Sequence, residues 1–313
     1  MIVGIEGTGS QAWKASDMTR SFVRKVLAQS NQSDKFYFIG PSNLGGDGPT
    51  IVNGAWSLIN SRMRQADSPS IQLVGYSRGA AYCIYLAKLI AEAGLGPRVS
   101  HLILFDAVAR QAEFAIPDQI PTTVHRCIHA YRNPAGGSRN GFENVGLYVQ
   151  DPHFTSMKKQ MFMASHGGMG GTWYNAKADE GTWGQDTAMS MAVKANGSQA
   201  ANTLRAMGPG SAGLAVGVFN APLGAATAAG GKFIGSKAPG IAAQQISDRD
   251  QIARMPGTPT MDAAADQAGS RSVGEWMWAH LVDVGVLPGG ASSQVDASPA
   301  EGKSFVVGTA YPA

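Results

Sequence analysis

The stretch Ile71-Gln72-Leu73-Val74-Gly75-Tyr76-Ser77-Arg78-Gly79-Ala80-Ala81 decides the fold. Its apolar run, Ile71 to Val74, feeds a Gly-x-Ser-x-Gly sequence that opens directly into a helix-patterned segment, Ala80 to Ala93. Strand, tight turn and helix in that order are the sequence form of a nucleophile elbow. The turn is sharp, so the positions flanking the serine must lack bulk, and Gly75 and Gly79 supply that room. The Ser77 hydroxyl would then stand above the sheet, with the Arg78 N–H and the start of the helix facing any negative charge that develops beside it. The plainer reading is a Gly-Ser turn before an ordinary helix.

Upstream, Ile2 to Ile5 reads as a short buried strand followed by the glycine-rich turn Glu6-Gly7-Thr8-Gly9-Ser10. Two uses compete for that turn. Gly7-x-Gly9-x-x-Ala12 after a strand fits the fingerprint of an NAD(P)-binding Rossmann protein, in which a pyrophosphate approaches a helix N-terminus. That fold also needs an acid at the end of the second strand to hold the ribose, and the second strand, Lys35 to Ile39, runs into Gly40-Pro41-Ser42 instead. The other use is as the second oxyanion donor beside the elbow, from Thr8 or Gly9, with the Gly40 to Gly48 loop as the fallback if the turn lies on the wrong edge.

Further along, Asp17 to Ser30 has a helical period capped by Ser16 or Asp17, and Thr50 to Ala66 returns to helix. Asp47, in Gly45-Gly46-Asp47-Gly48, reads as a solvated turn aspartate before a contact to substrate or metal. Val99 to Phe105 is an almost continuous apolar run ending in Asp106, and Thr123 to Tyr131 and Lys159 to Ser165 are further strands. Strand and helix alternate throughout, which predicts a parallel or mixed sheet with helices on both faces. His166 opens the run His166-Gly167-Gly168-Met169-Gly170-Gly171 just past a strand, on a loop where the base of a triad sits in an open α/β sheet. Asp106 or, as the runner-up, Asp151 between the last two strands would orient it. His125 and His129 fall within a strand pattern that suits structural histidines, and no His/Cys spacing of a metal site occurs.

Composition bounds the function. A chain of 313 residues holds one large α/β domain, or one domain with an extension. A net charge of +3 and no Lys/Arg stripe interleaved with aromatics argue against a nucleic-acid partner. The two cysteines, Cys83 and Cys127, sit in a helix pattern and a strand pattern, as small buried hydrophobes do. The strand-like start shows no basic region followed by an apolar core, so the expected location is cytoplasmic, or exported without a cleavable signal peptide. From Thr172 to about Ser270 the sequence becomes rich in Ala, Gly and Met, and Gly208 to Gly231 carries no charge. Pro209, Asn220, Pro222 and several glycines interrupt it, so it reads as a flexible or loosely helical insertion, with a membrane-associating lid as the alternative. Helical period recovers from Ser272 to Val286, with Val273, Trp276, Met277, His280, Leu281 and Val284 on one face.

Taken together, Glu6-Gly7-Thr8-Gly9, Gly75 to Ala80, Leu104-Phe105-Asp106-Ala107-Val108, Arg139 to Phe142, the His166 to Gly171 run and Trp276-Met277 resemble the uncharacterised-domain α/β-hydrolases that include type VI secretion phospholipase effectors. The chain departs from that pattern twice. Residues 172 to 271 separate the histidine run from the terminal helix, and Arg132-Asn133 replaces the acidic pair the family carries after its His-Ala strand. The resemblance implies an α/β-hydrolase-like core over residues 1–190, an insertion or cap over 191–270, and a terminal helix and tail over 271–313. It implies Ser77, Asp106 and His166 as a catalytic triad, an oxyanion hole from Arg78 with Thr8 or Gly9, and neither cofactor nor metal. The expected substrate is a lipid or phospholipid ester at a membrane surface, with an immunity or secretion protein as partner. A non-catalytic module on the same fold is the rival reading.

Overall fold

The computed structural model describes residues 1–10, 15–41, 47–64, 70–94, 99–109, 114–133, 144–173 and 261–297. In chain order the elements are β1 (Ile2–Ile5), α1 (Ala15–Arg20), α2 (Phe22–Gln29), β2 (Lys35–Phe38), α3 (Gly48–Met63), β3 (Ile71–Tyr76) and α4 (Arg78–Glu92). They continue with β4 (Val99–Phe105), β5 (Gln119–Ile120), β6 (Val124–Arg132), β7 (Tyr148–Val149), β8 (Ser156–Phe162), α5 (His166–Met169) and α6 (Ala263–Asp283). Six strands form one sheet in the order β2-β1-β3-β4-β6-β8, and every neighbouring pair is parallel. The result is an α/β-hydrolase-like arrangement with the elbow strand β3 in the interior of the sheet. All the described residues belong to one unit, made of residues 1–174 and 258–313.

Two apolar cores follow from the period-two alternation of strand side chains. Val3, Ile5, Leu73, Leu102, Leu104 and Cys127 face one core with α3 and α4. Ile2, Val74, Tyr76, Ile103, Phe105, Ile128 and Ala130 face the other, with α2 and α6. Burial on both faces explains why the inner strands β1, β3 and β4 read as near-continuous apolar runs rather than as alternating ones. The helix after β3 crosses so close to β1 that a Cβ on Gly79 would lie 2.3 Å from the carbonyl oxygens of Ile5 and Glu6.

Several boundaries differ from the sequence expectation. The helix expected over Asp17 to Ser30 is two, broken at Ser21, whose side chain accepts the Arg24 N–H and caps α2. The strand expected over Lys159 to Ser165 is β8, because Ser156 to Lys158 already pair with Arg126 to Ile128. The terminal helix begins at Ala263 rather than at Ser272. Asp262 caps it by accepting the Ala265 N–H at 2.7 Å, and its first turns bury small or polar groups, Asp266 and Ser270, which leave no apolar period to read. Lower down, Val273, Gly274, Met277, Trp278 and Leu281 are buried, so the covered face turns toward Trp278. The expectations for Arg139 to Phe142 and for most of 191–270 lie outside the described residues. Among the described residues no helix is long and apolar enough to cross a membrane.

Candidate active site

The carboxyl ends of the parallel strands all point to one rim, and Ser77, Asp106, His166 and the turn after β1 stand there. After β1 the chain moves outward to β2, then returns to the other side of β1 for β3 and goes on to β4, so the connections leaving β1 and β3 run in opposite directions along the sheet. Open α/β sheets bind ligands at such a reversal of strand order. Gly7 follows β1 and Ser77 follows β3, and the two are packed so tightly that a Cβ on Gly7 would come within 3.1 Å of the Ser77 Cβ.

Ser77 turns the chain with φ 57° and ψ −128°, a backbone conformation that costs a residue bearing a Cβ about 1–3 kcal/mol. Its N–H donates to the Phe105 carbonyl at 3.0 Å, and its own carbonyl accepts the N–H groups of Ala80 and Ala81 at 3.1 and 3.2 Å, which hold the strained turn in place. Among the described residues Asp106 is the other non-glycine residue at positive φ, 48°. The two strained positions sit at the ends of adjacent strands, β3 and β4.

A hydrogen-bonded chain links three side chains from three segments. Ser77 Oγ lies 2.8 Å from His166 Nε2, and His166 Nδ1 lies 2.6 Å from Asp106 Oδ2. An ionised Asp106 can only accept, so the proton of a neutral imidazole sits on Nδ1 and Nε2 accepts from the serine hydroxyl. Asp106 is completely buried. Burial alone would raise its pKa, but the Arg132 guanidinium and the hydrogen bonds from His166 and Asn144 overcome that and hold the carboxyl well below the usual carboxylate range. Arg132 contributes its backbone N–H at 3.1 Å and Nη1 at 2.6 Å, and Asn144 contributes Nδ2 at 2.7 Å.

His166 is not on an open loop as expected. It begins the single turn α5, which Ser165 caps by accepting the Gly168 N–H at 2.9 Å. Tyr76, the residue before the serine, donates its hydroxyl to the His166 carbonyl at 2.7 Å, and its ring lies 5.1 Å from the imidazole. The glycine run closes this turn rather than loosening it, since the Thr172 N–H reaches back to the Gly167 carbonyl at 3.0 Å.

For the oxyanion donors, the structure separates Thr8 from Gly9. The Gly9 N–H donates to the Pro41 carbonyl at 2.9 Å, so it is engaged away from Ser77, a correction to its expected role. The Thr8 N–H has no hydrogen-bond partner among the described residues. Arg78 supplies the first backbone N–H of α4, and its guanidinium anchors the same turn, Nε donating to Thr8 Oγ1 at 2.5 Å. Beneath the turn, the buried Glu6 carboxylate accepts the Ser21 hydroxyl and, at 3.3 Å, the Gly7 N–H. Burial raises the pKa of Glu6 to about 7 against the opposing hydrogen bonds of Ser21 and Gly7 and the charge of Arg24.

Asp151 is not brought to the site. It lies in the turn that enters β8, where it accepts the His153 N–H at 2.8 Å, whereas His166 follows the far end of that strand. Seven residues at about 3.3 Å each put roughly 20 Å of strand between the two ends. His129 is buried and neutral, its pKa lowered by burial to about 4. It accepts the Ala107 N–H at 3.3 Å and lies 3.1 Å from the Gly146 carbonyl, so it braces the backbone beside Asp106. Among the described residues no group of three or more metal-ligating side chains occurs. Asn144 and Asp266 fall in no motif read from the sequence, and Glu6, Tyr76, Arg132 and Ser165, although they lie within stretches quoted above, carried no expected role in the site.

No protein-family model matches the chain, and no curated protein matches it. Among solved structures it is similar to an uncharacterized protein from Pseudomonas aeruginosa, at 14% identity and a TM-score of 0.35, over 55% of this chain and 42% of that one.

Proposed function

We propose that this protein is a serine hydrolase that cleaves an acyl ester, of the lipase or phospholipase kind. The observation that carries the reading is the Ser77–His166–Asp106 hydrogen-bonded chain, at 2.8 and 2.6 Å, on a strained strand-to-helix turn. In the reaction His166 Nε2 takes the Ser77 proton as Oγ attacks the acyl carbonyl, and the carbonyl π pair moves onto oxygen. That oxyanion is received by the N–H groups of Arg78 and Thr8. Asp106 stabilises the imidazolium, which then gives its proton to the departing alcohol oxygen as the C–O bond breaks. Water repeats the sequence on the acyl-enzyme and restores Ser77.

A lipid-like acyl group is favoured by the family resemblance and by the uncharged Ala/Gly-rich sequence between Gly208 and Gly231. Labelling with a fluorophosphonate probe tests the nucleophile, and a panel from short p-nitrophenyl esters to phosphatidylglycerol vesicles tests the class. Labelling abolished by Ser77→Ala and turnover rising with chain length are expected. A folded protein that takes no label is a non-catalytic module, and turnover confined to the shortest esters removes the lipid assignment.

A further inference from the structure

A second carboxylate, Asp266 on α6, is fully buried against the turn that carries His166. Its Oδ1 accepts the Ser165 N–H at 2.6 Å and its Oδ2 accepts the Ser165 hydroxyl at 2.6 Å. The same Ser165 hydroxyl oxygen accepts the Gly168 N–H, so one carboxylate and one hydroxyl together tie down the N-terminal end of α5. The capping of α6 does not explain Asp266, because Asp262 already holds that place. A buried carboxylate is costly unless its oxygens are satisfied, and here each oxygen accepts a hydrogen bond from the residue next to the histidine. The backbone accommodates the grip at two glycines. A Cβ on Gly168 would lie 2.3 Å from Asp266 Oδ1, and one on Gly269 would lie 1.9 Å from the Met163 carbonyl oxygen.

We infer that Asp266 is a positioning residue of the active site, one that sets the height and rotation of His166 over Ser77 through Ser165. This rests on the serine-hydrolase reading for its effect on turnover, though not for its effect on the imidazole. His166 is held from three sides: Asp106 orients its ring, Tyr76 holds its carbonyl, and Asp266 holds the residue before it. The third hold comes from a helix that the chain reaches only after residues 175–257. The site is therefore completed by chain far downstream of the triad, and a polypeptide ending before Asp262 would carry all three triad residues without the clamp.

The test uses the full chain with Asp266→Asn, the gentler Ser165→Ala, and both together. Histidine labelled with ¹⁵N reads the His166 tautomer directly, its signals assigned by their loss in His166→Gln. The wild type should show a single Nδ1–H tautomer, and Asp266→Asn a mixture. Fluorophosphonate labelling and kcat should fall about 10–100-fold with KM nearly unchanged, the cost of a misplacement near 1 Å. The double variant should lose less than the two single losses combined, because both changes break the Asp266–Ser165 bond while only Ser165→Ala also removes the cap on Gly168. A merely structural Asp266 predicts instead a lower melting temperature with the tautomer and the kcat of the folded fraction intact, and that result overturns the proposal. If the wild type takes no label while its tautomer still depends on Asp266, the hydrolase reading fails and the clamp stands.

Discussion

Arg132 Nη1 and His166 Nδ1 both lie 2.6 Å from the same oxygen, Oδ2 of Asp106. The acid that orients the imidazole is thus also one half of a buried ion pair. A cation on that oxygen keeps Asp106 ionised and at the same time weakens its hold on an imidazolium. Replacing Arg132 with Gln should therefore move the acid limb of the pH–rate profile to higher pH, because His166 gains a proton more readily when the competing cation is gone. Breaking a buried pair from one side should also destabilise the protein by about 3–5 kcal/mol, measured by urea denaturation. An unmoved acid limb in a folded variant would mean that Arg132 acts only on stability.

The backbone at Ser77 supplies a second expectation. Ser77→Ala and Ser77→Gly both remove the hydroxyl, but only glycine relieves the positive φ. The glycine variant should be more stable than the alanine variant by about 1 kcal/mol or more, despite the larger entropy of its unfolded chain. Equal melting temperatures would show that the turn is not strained.

Gly7 is hemmed in by the Tyr76 ring at 2.5 Å and the Ser77 Cβ at 3.1 Å from the position of an added Cβ. Gly7→Ala should push the Thr8 turn away from the serine and cost turnover about 100-fold, the magnitude of losing one oxyanion donor. KM should change little. A variant with full kcat would return the second donor to another loop.

Glu6 gives stability a pH dependence of definite sign. Its folded-state pKa, about 7, lies above its ordinary value of 4.5, so the native protein binds its proton more tightly than the unfolded chain does. The group's contribution is complete below pH 4.5 and is lost as the pH rises through 7, by up to roughly 3 kcal/mol. Subtracting the stability curve of Glu6→Gln from that of the wild type should leave a difference that falls across this window. A flat difference contradicts the assignment.

The elbow and the alternation were legible because each is a local pattern: glycines at a fixed offset from Ser77, and apolar runs of strand length. The sheet order could only be inferred from the chemistry of the oxyanion hole, which required β1 beside β3, as observed. Asp106 and Asp151 could not be told apart in one dimension, since each follows or precedes a strand. Parallel pairing puts Asp106 at the carboxyl rim with Ser77 and His166, and Asp151 at the opposite one. Arg132 was visible as a departure from a family pattern, yet its pairing with Asp106 depends on the register of β4 and β6. Asp266 left no trace because its partner, Ser165, lies 101 positions away in the chain.

The two cysteines turn the far face of the sheet into a clock. Cys83 on α4 and Cys127 on β6 are both buried in the core shared with α3, and burial pushes both thiols well above the usual range. Alkylation requires a thiolate in contact with reagent, so neither sulfur can react until that face parts from its helices. Cys83 stands six residues beyond the elbow serine, on the helix that Ser77 precedes. With reagent concentrated enough to outpace reclosing, the rate at which it is capped counts the openings of the platform beneath Ser77.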